Sequence, residues 1–518
     1  MSSSLGAAVE AAVDDDVCLL VEGTYPYLAG GVSAWVHDII NGHPALKFSV
    51  FNIGSHPGSY GAPCFALAEH VTGLHHVYCR DGELGELTPQ ARARLDQDIH
   101  RLGRSSHSRL QPSRVLGAIR RIHLGPGAVD EALLADLVCG DLTLGEFLHG
   151  RETFDLIAEI AEKLGGHTPF LDLFWHFRSI YVPILRLLTT ASPPFARCYH
   201  AVSTGYAGLC GAAFSHRTGR PLVVTEHGIY SRERDMDLAR ASWIKDSPDA
   251  GDGASVAATP SPLRRLWSRS FRALSQLAYL QASRIVTLSD ANRERQIADG
   301  APPQKISIVP NGVAVSDAEP ERRAPDSIPP LRVGFVGRVV PIKDVITFIR
   351  ACQLAAAEVD LEVRIIGPAG EDPEYAGRCR ALVESLGLTA TITFAGPQPP
   401  DLIYRDLDVV VLTSFSEGQP LVILEAYAAG VPVVATDVGA CREMIEGRAD
   451  ADRRLGESGF VTRVGIPEDT AAALVRLARD PQLRARLGAA GRKRVLGFYR
   501  REHMLESYRN LYRDMVTR

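Results

Sequence analysis

The chain has 518 residues, 46% of them hydrophobic and 23% charged, with a formal net charge of −5. This length predicts two large domains or three smaller ones. The apolar content excludes wholesale disorder, and the mildly acidic balance excludes a general attraction to nucleic acid.

Residues 1–16 lack a basic stretch followed by an apolar one, so they read as a disordered tail rather than a signal peptide. Runs at 17–21, 47–53, 197–202, 221–226 and 284–289 read as strands of a first domain, and runs at 331–336, 361–367, 391–395, 408–413 and 432–436 as strands of a second. Many are continuous β-branched stretches, which suits strands covered on both faces in a parallel sheet. Their alternation with helical stretches predicts an α/β fold of two doubly wound, Rossmann-like domains. The expected organisation is a tail at 1–16, a first domain at 17–315, a second at 331–495, and a helix at 496–518 returning to the first. Residues 82–168 interrupt the alternation as a helix-leaning insertion. Residues 246–262, rich in Ser, Ala, Gly, Asp and Pro, read as a mobile loop, and the acidic, proline-bearing 313–330 as a linker. No apolar run approaches 18 residues, so no membrane-spanning helix is expected. The nine cysteines form no C-x-x-C pair and no metal-ligand spacing, which reads as reduced thiols of a cytosolic protein.

Four segments fall where chemistry is expected, at the carboxyl ends of strands. Gly30-Gly31 lies between the first strand and a helix at 33–40, where glycine lets backbone N–H groups approach a ligand at a helix start. By itself such a pair is usually only a turn, and it is not the G-x-G-x-x-G pattern. His227-Gly228 ends the strand at 221–226, flanked by Glu226, Tyr230 and Arg232. A lone histidine is more often structural, but these neighbours favour a functional one. Arg338 and Lys343 lie five apart after the strand at 331–336, and Asp344 can cap a helix at 344–356. Two cations at a helix start can neutralise a diphosphate, Arg as a planar fork and Lys as a point charge. Finally, Glu417-Gly418-Gln419-Pro420-Leu421 follows the strand at 408–413 and opens a helix carrying Glu425, eight residues after Glu417. A loop carboxylate can accept from sugar hydroxyls, one on the helix from a ribose, and backbone donors at the helix start suit phosphate.

Through these residues the chain resembles the retaining glycosyltransferases of family four, which have the two-domain GT-B fold with a cleft between the domains. Glu417…Glu425 resembles their E-x7-E signature, and Arg338…Lys343 their diphosphate-binding pair. With segments 22–35, 203–208 and 225–233 added, the resemblance is strongest to the PelF-type glycosyltransferases of Pel exopolysaccharide synthesis, over about residues 17 to 515. The resemblance implies that Arg338 and Lys343 stabilise the leaving nucleoside diphosphate. It implies that Glu417 holds the donor sugar and Glu425 the ribose, while His227 lies against the sugar and Gly30 and Gly31 line the cleft. Gly396 opens the segment bordering the nucleotide base, and its proline-rich continuation departs from the family pattern.

The resulting expectation is a retaining, metal-independent hexosyltransferase with no cofactor and no bound metal. No D-x-D motif stands where a metal-dependent transferase carries one. The donor is expected to be a UDP-hexose or UDP-N-acetylhexosamine, the acceptor a growing glycan, and the partners inner-membrane polysaccharide synthase or export proteins, with no nucleic acid. The location implied is cytoplasmic, peripheral at the inner membrane. Alternatives are a GT-B nucleotide-sugar epimerase or hydrolase, and a non-catalytic scaffold subunit of a glycan synthase. The basic, amphipathic stretch 262–281 reads either as a core-packing helix, the favoured reading, or as one lying on anionic lipid. The basic stretch 484–518 reads as a solvated helical face.

Overall fold

The computed structural model describes residues 15–23, 25–28, 30–80, 112–125, 129–164, 168–244, 261–318 and 330–517, and only the backbone at 400 and 401. The expected tail up to residue 14, the insertion at 82–111, the mobile loop at 246–260 and the linker at 319–329 lie outside the described residues. The chain forms two compact units, one comprising residues up to Val286 with Gln296–Ser307 and Arg509–Arg518, the other Thr287–Arg295 with Ile308–Tyr508. The division therefore runs differently from a single break at 313–330: residues 308–318 and 496–508 belong to the second unit, and only the last part of the chain to the first.

The first unit is built on a seven-stranded sheet of order β3-β2-β1-β4-β5-β6-β7. Its strands are β1 (Asp15–Glu22), β2 (Phe48–Gly54), β3 (Val71–Tyr78), β4 (Ala196–Ala201), β5 (Leu222–Glu226), β6 (Arg284–Thr287) and β7 (Ile306–Ile308). The pairings of β1 with β2 and β4, of β2 with β3 and of β4 with β5 are all parallel. β1 starts earlier than expected because Asp15 and Asp16 are held to its neighbours: Thr72 donates to Asp15 at 2.6 Å, and the Lys47 N–H to Asp16 at 2.9 Å. Between β3 and β4 the described residues form five helices, Arg114–Leu124, Glu131–Leu137, Leu144–His149, Arg151–Leu164 and Phe170–Thr190.

The second unit holds a six-stranded, wholly parallel sheet of order β10-β9-β8-β11-β12-β13. Its strands are β8 (Leu331–Val336), β9 (Leu361–Ile366), β10 (Ile392–Gly396), β11 (Val409–Leu412), β12 (Val433–Thr436) and β13 (Gly459–Thr462). Alternate residues of β11 enter different apolar clusters, Val409 and Val411 one and Val410 and Leu412 the other. Period-two side chains thus fill a core on each face, as an all-parallel sheet requires.

In both sheets the strand order reverses beside the first strand, between β1 and β4 and between β8 and β11. Such switch points open a crevice at the carboxyl ends of the strands.

Helix Pro262–Gln281 packs into the core: Leu263, Leu266, Trp267, Leu274 and Leu277 are buried, and Trp267 donates to His176 at 2.9 Å. The apolar face that lipid binding would need is therefore occupied. The stretch 484–518 is not merely a solvated face, because Arg484, Arg492 and Arg494 are buried. Arg494 binds the Asp452 carboxylate at 2.5 Å and the Ile445 carbonyl at 2.6 Å. Among the described residues no helix is long and apolar enough to cross a membrane. All nine cysteines are unpaired.

Candidate active site

In the second unit, chain geometry brings the segments after β8 and β11 together. Asp344 takes a left-handed backbone (φ 47°) and caps helix Val345–Ala356 by accepting from the Thr347 N–H at 3.2 Å. That conformation ends the 3₁₀ turn Pro341–Lys343 and points the chain into the helix. Thr413, just beyond β11, donates to the Asp344 carbonyl at 2.9 Å, and the Phe415 N–H donates to the Ile342 carbonyl at 2.9 Å. Across this junction Lys343 Nζ meets Glu417 Oε1 at 2.6 Å, and Ser414 donates to the same oxygen at 2.5 Å. The pair lies at the switch point between β8 and β11, largely shielded from solvent.

Arg338 sits apart from this pair. Its Nη1 bonds both Glu371 oxygens, at 2.6 and 2.7 Å, in an exposed ion pair. The loops after β8, β9 and β10 are stitched by backbone bonds: Gly337 N–H to the Ile366 carbonyl at 2.9 Å and Gly367 N–H to the Gly396 carbonyl at 3.0 Å. A Cβ at Gly367 (φ +142°) would fall 2.1 Å from the Gly337 oxygen, so this approach requires glycine.

Helix Leu421–Ala428 starts with Pro420 at its cap position and no side chain capping it. Glu425 lies on it, partly exposed, and accepts from the Tyr404 hydroxyl at 2.5 Å. Gln419, expected to act through its backbone at the helix start, has its side chain turned inward: it is buried, and its Oε1 accepts from the Asn311 N–H at 2.5 Å. Gly418 is fixed through its carbonyl, which accepts from the Ala440 N–H at 2.8 Å.

Sequence reasoning missed Ser414, Glu371, Tyr404 and Gly439. Gly439 (φ +52°) backs the Glu417 loop so closely that a Cβ there would lie 2.0 Å from the Glu417 carbonyl oxygen. Its signal was available: it follows β12 at the same carboxyl edge as the other motifs.

The first unit carries the remaining candidates. Gly30 and Gly31 open helix Gly31–Asn41, are exposed, and would each accommodate a Cβ with nothing within 4 Å. Gly30 is extended (φ 174°) and Gly31 is not left-handed, so the fold itself does not demand glycine there. His227 follows β5 with its ring edge-on to Trp35, centroids 4.7 Å apart. Its Nε2 is buried with no hydrogen-bond partner among the described residues, and burial lowers its pKa to about 4, so the ring is neutral near pH 7.

Beside it, Glu226 is buried and fully engaged. It accepts from Thr204 at 2.8 Å, the Tyr230 N–H at 2.9 Å, Tyr279 at 2.5 Å and Gln296 at 2.8 Å, and burial raises its pKa. At the switch point Glu22 accepts from Ser203 at 2.5 Å and from the Ala207 N–H at 2.7 Å, in the first turn of helix Tyr206–Thr218. Among the described residues no three His, Cys, Asp or Glu side chains cluster to hold a metal ion.

Residues 320–494 match the family described as glycosyl transferases group 1, and residues 15–304 match a family described only as a domain of unknown function (DUF3492). A D-inositol 3-phosphate glycosyltransferase of Acidothermus cellulolyticus is 30% identical over 66% of this chain and 72% of its own length. The chain belongs to the group 1 glycosyltransferases. Its first unit belongs to the DUF3492 family.

A similar relative in Rhodococcus opacus, also a D-inositol 3-phosphate glycosyltransferase, is 30% identical over 60% of this chain and 67% of its own. Among solved structures, Anabaena HepE in complex with UDP and glucose superposes with a TM-score of 0.55 at 16% identity, covering 96% of this chain and 99% of that one. Sucrose-phosphate synthase of Thermosynechococcus elongatus superposes with a TM-score of 0.57 at 15% identity, covering 97% and 99%. Both likenesses carry the fold, GT-B, built of two Rossmann-like domains. This group 1 glycosyltransferase thus carries Arg338, Lys343, Gly396, Glu417, Gly418 and Glu425 on one unit, and Gly30, Gly31 and His227 on the other.

Proposed function

We propose that this glycosyltransferase moves a hexosyl or N-acetylhexosaminyl group from a UDP-sugar to a growing exopolysaccharide, with retention of configuration and without a metal, in the manner of the PelF type. The observation that carries the reading is the Lys343–Glu417 pair at the β8/β11 switch point, beside the uncapped start of helix Leu421–Ala428.

In the reaction the bond from C1 to the diphosphate oxygen breaks, and the acceptor hydroxyl oxygen bonds to C1 on the same face. The acceptor proton passes to the departing diphosphate. The negative charge growing on that group is met by Lys343, by Arg338 once Glu371 yields it, and by the N–H groups at the helix start. Metal independence follows from these fixed cations doing the neutralising. Glu417 accepts from the sugar hydroxyls, Glu425 from the ribose, and the neutral His227 imidazole bonds the sugar. Retention rests on the family-four resemblance at Arg338…Lys343 and Glu417…Glu425, and the exopolysaccharide acceptor on the resemblance at 22–35, 203–208 and 225–233. UDP is favoured by HepE, whose structure holds it with glucose. The same reading places the enzyme at the cytoplasmic face of the inner membrane, beside synthase or export proteins.

Calorimetric titration with UDP-glucose, UDP-N-acetylglucosamine, UDP-N-acetylgalactosamine, GDP-mannose and ADP-glucose, with and without EDTA, tests this. One UDP-sugar is expected to bind selectively, equally well in EDTA, and to lose affinity in Arg338→Ala. Binding only of a GDP- or ADP-sugar, or loss of binding in EDTA, overturns the donor or the metal-free part.

A further inference from the structure

Glu425 is one of two glutamates at the proposed donor site, and it stands on a short, partly exposed helix. Such a side chain rotates about three bonds and would lose that freedom on gripping a ligand. Here it is already held. Tyr404 follows the short helix Pro400–Ile403, between β10 and β11, and its ring is 5% exposed in the apolar cluster that includes Leu407, Ile423 and Leu424. Its hydroxyl emerges from that core at the edge of helix Leu421–Ala428 and donates to Glu425 Oε2 at 2.5 Å. Burial and the adjacent carboxylate raise the phenol pKa well above its ordinary value, so the group stays a donor at any working pH. Each carboxylate oxygen can accept two hydrogen bonds, so this anchor leaves Oε1 and one site on Oε2 for a diol.

We propose that Tyr404 is a positioning residue that fixes the Glu425 carboxylate to grip the ribose hydroxyls of the donor, making discrimination between ribose and deoxyribose depend on a residue that touches neither. The proposal rests on the ribose role given to Glu425 above. It also gives a physical reason for an aromatic hydroxyl in the segment between β10 and β11: Tyr404 couples that segment to the nucleotide-gripping helix.

The test is calorimetry of UDP and 2′-deoxy-UDP with wild type, Tyr404→Phe and Glu425→Gln, with melting temperature as a control for packing, which Phe preserves. Wild type is expected to favour UDP over 2′-deoxy-UDP by about tenfold, the ratio one well-made hydrogen bond gives. Tyr404→Phe is expected to weaken UDP by about tenfold and 2′-deoxy-UDP hardly at all, erasing the preference at unchanged melting temperature. In turnover it raises the donor KM and spares kcat. A preference intact in Tyr404→Phe but lost in Glu425→Gln overturns the positioning role alone. A preference absent from wild type, or intact in Glu425→Gln, overturns the ribose role itself.

Discussion

The two switch points solve one geometric problem in opposite ways. In the first unit the crevice between β1 and β4 is filled by the protein itself: Glu22 bonds Ser203 and the first turn of helix Tyr206–Thr218, and nearby Glu226 has a partner for each of its contacts. A Cβ at Gly205 would lie 2.5 Å from the Tyr230 ring and 2.7 Å from Glu22 Oε1, so nothing larger fits. In the second unit the equivalent crevice between β8 and β11 holds a lysine–glutamate pair before an uncapped helix, and the loops after β8 and β9 carry a separate, exposed arginine–glutamate pair. A ligand oxygen can replace a carboxylate on a cation, but not a carboxylate that satisfies a helix start from within. Two parallel sheets of like topology have thus divided into a sealed edge and an exchangeable one.

The sharpest way to break this comparison is Lys343→Ala. Turnover is expected to fall about 10²- to 10³-fold, the scale of losing one preorganised charge, while the melting temperature stays close to wild type; steady-state kinetics beside a thermal melt checks it. A comparably large loss from unfolding would mean that the second edge is as structural as the first.

The sealed edge is probed by acid. His200 is buried, bonded to Tyr512 at 2.7 Å and Thr225 at 2.8 Å, and burial lowers its pKa to about 3. The unfolded chain therefore takes up a proton that the folded one refuses, so this residue costs nothing above about pH 6.5 and destabilises the fold progressively as pH falls towards 3. The raised Glu22 and Glu226 carboxyls act in the opposite sense: their contribution is complete below the ordinary carboxylate value and fades as pH rises. The comparison is therefore a difference. His200→Gln should flatten the pH dependence of unfolding free energy by about 1.4 kcal/mol per pH unit within that window. Urea melts at several pH values measure it, and an unchanged slope would show the imidazole protonating freely in the fold.

The smallest effect is Glu371→Gln. Freeing Arg338 from an exposed partner should tighten UDP-sugar binding about two- to fivefold, since exposed pairs are weak; a looser complex would make Glu371 a ligand contact instead of a competitor.

Legibility in the sequence followed burial. β1, β2, β4, β5 and the central strands of the second sheet are mostly buried and were readable within a residue or two. The three unforeseen strands, β3, β7 and β13, all lie at sheet edges. β3 reads Val-Thr-Gly-Leu-His-His-Val-Tyr and none of its residues is buried, because an edge needs no second apolar face. The site divides in the same way. Charged residues after strands (Arg338, Lys343, Glu417) announced themselves, and the Asp344 cap was readable from its place before an apolar helix. Tyr404 did not, because a tyrosine among Ile, Leu and Arg reads as core, and the ring is core; only its hydroxyl reaches the edge. The sequence offered the Gln419 backbone at the helix start but held no sign that its side-chain oxygen is spent on the Asn311 backbone, a contact between residues 108 positions apart.

The bond between His200 and Tyr512 joins residues 312 positions apart within one unit. During synthesis, β1 to β5 emerge early, yet the hydroxyl that meets His200 is made only after the whole second unit has been translated. The first unit is thus the first to be started and the last to be finished, and a gene fragment ending near residue 308 would encode its sheet without the tyrosine that closes it.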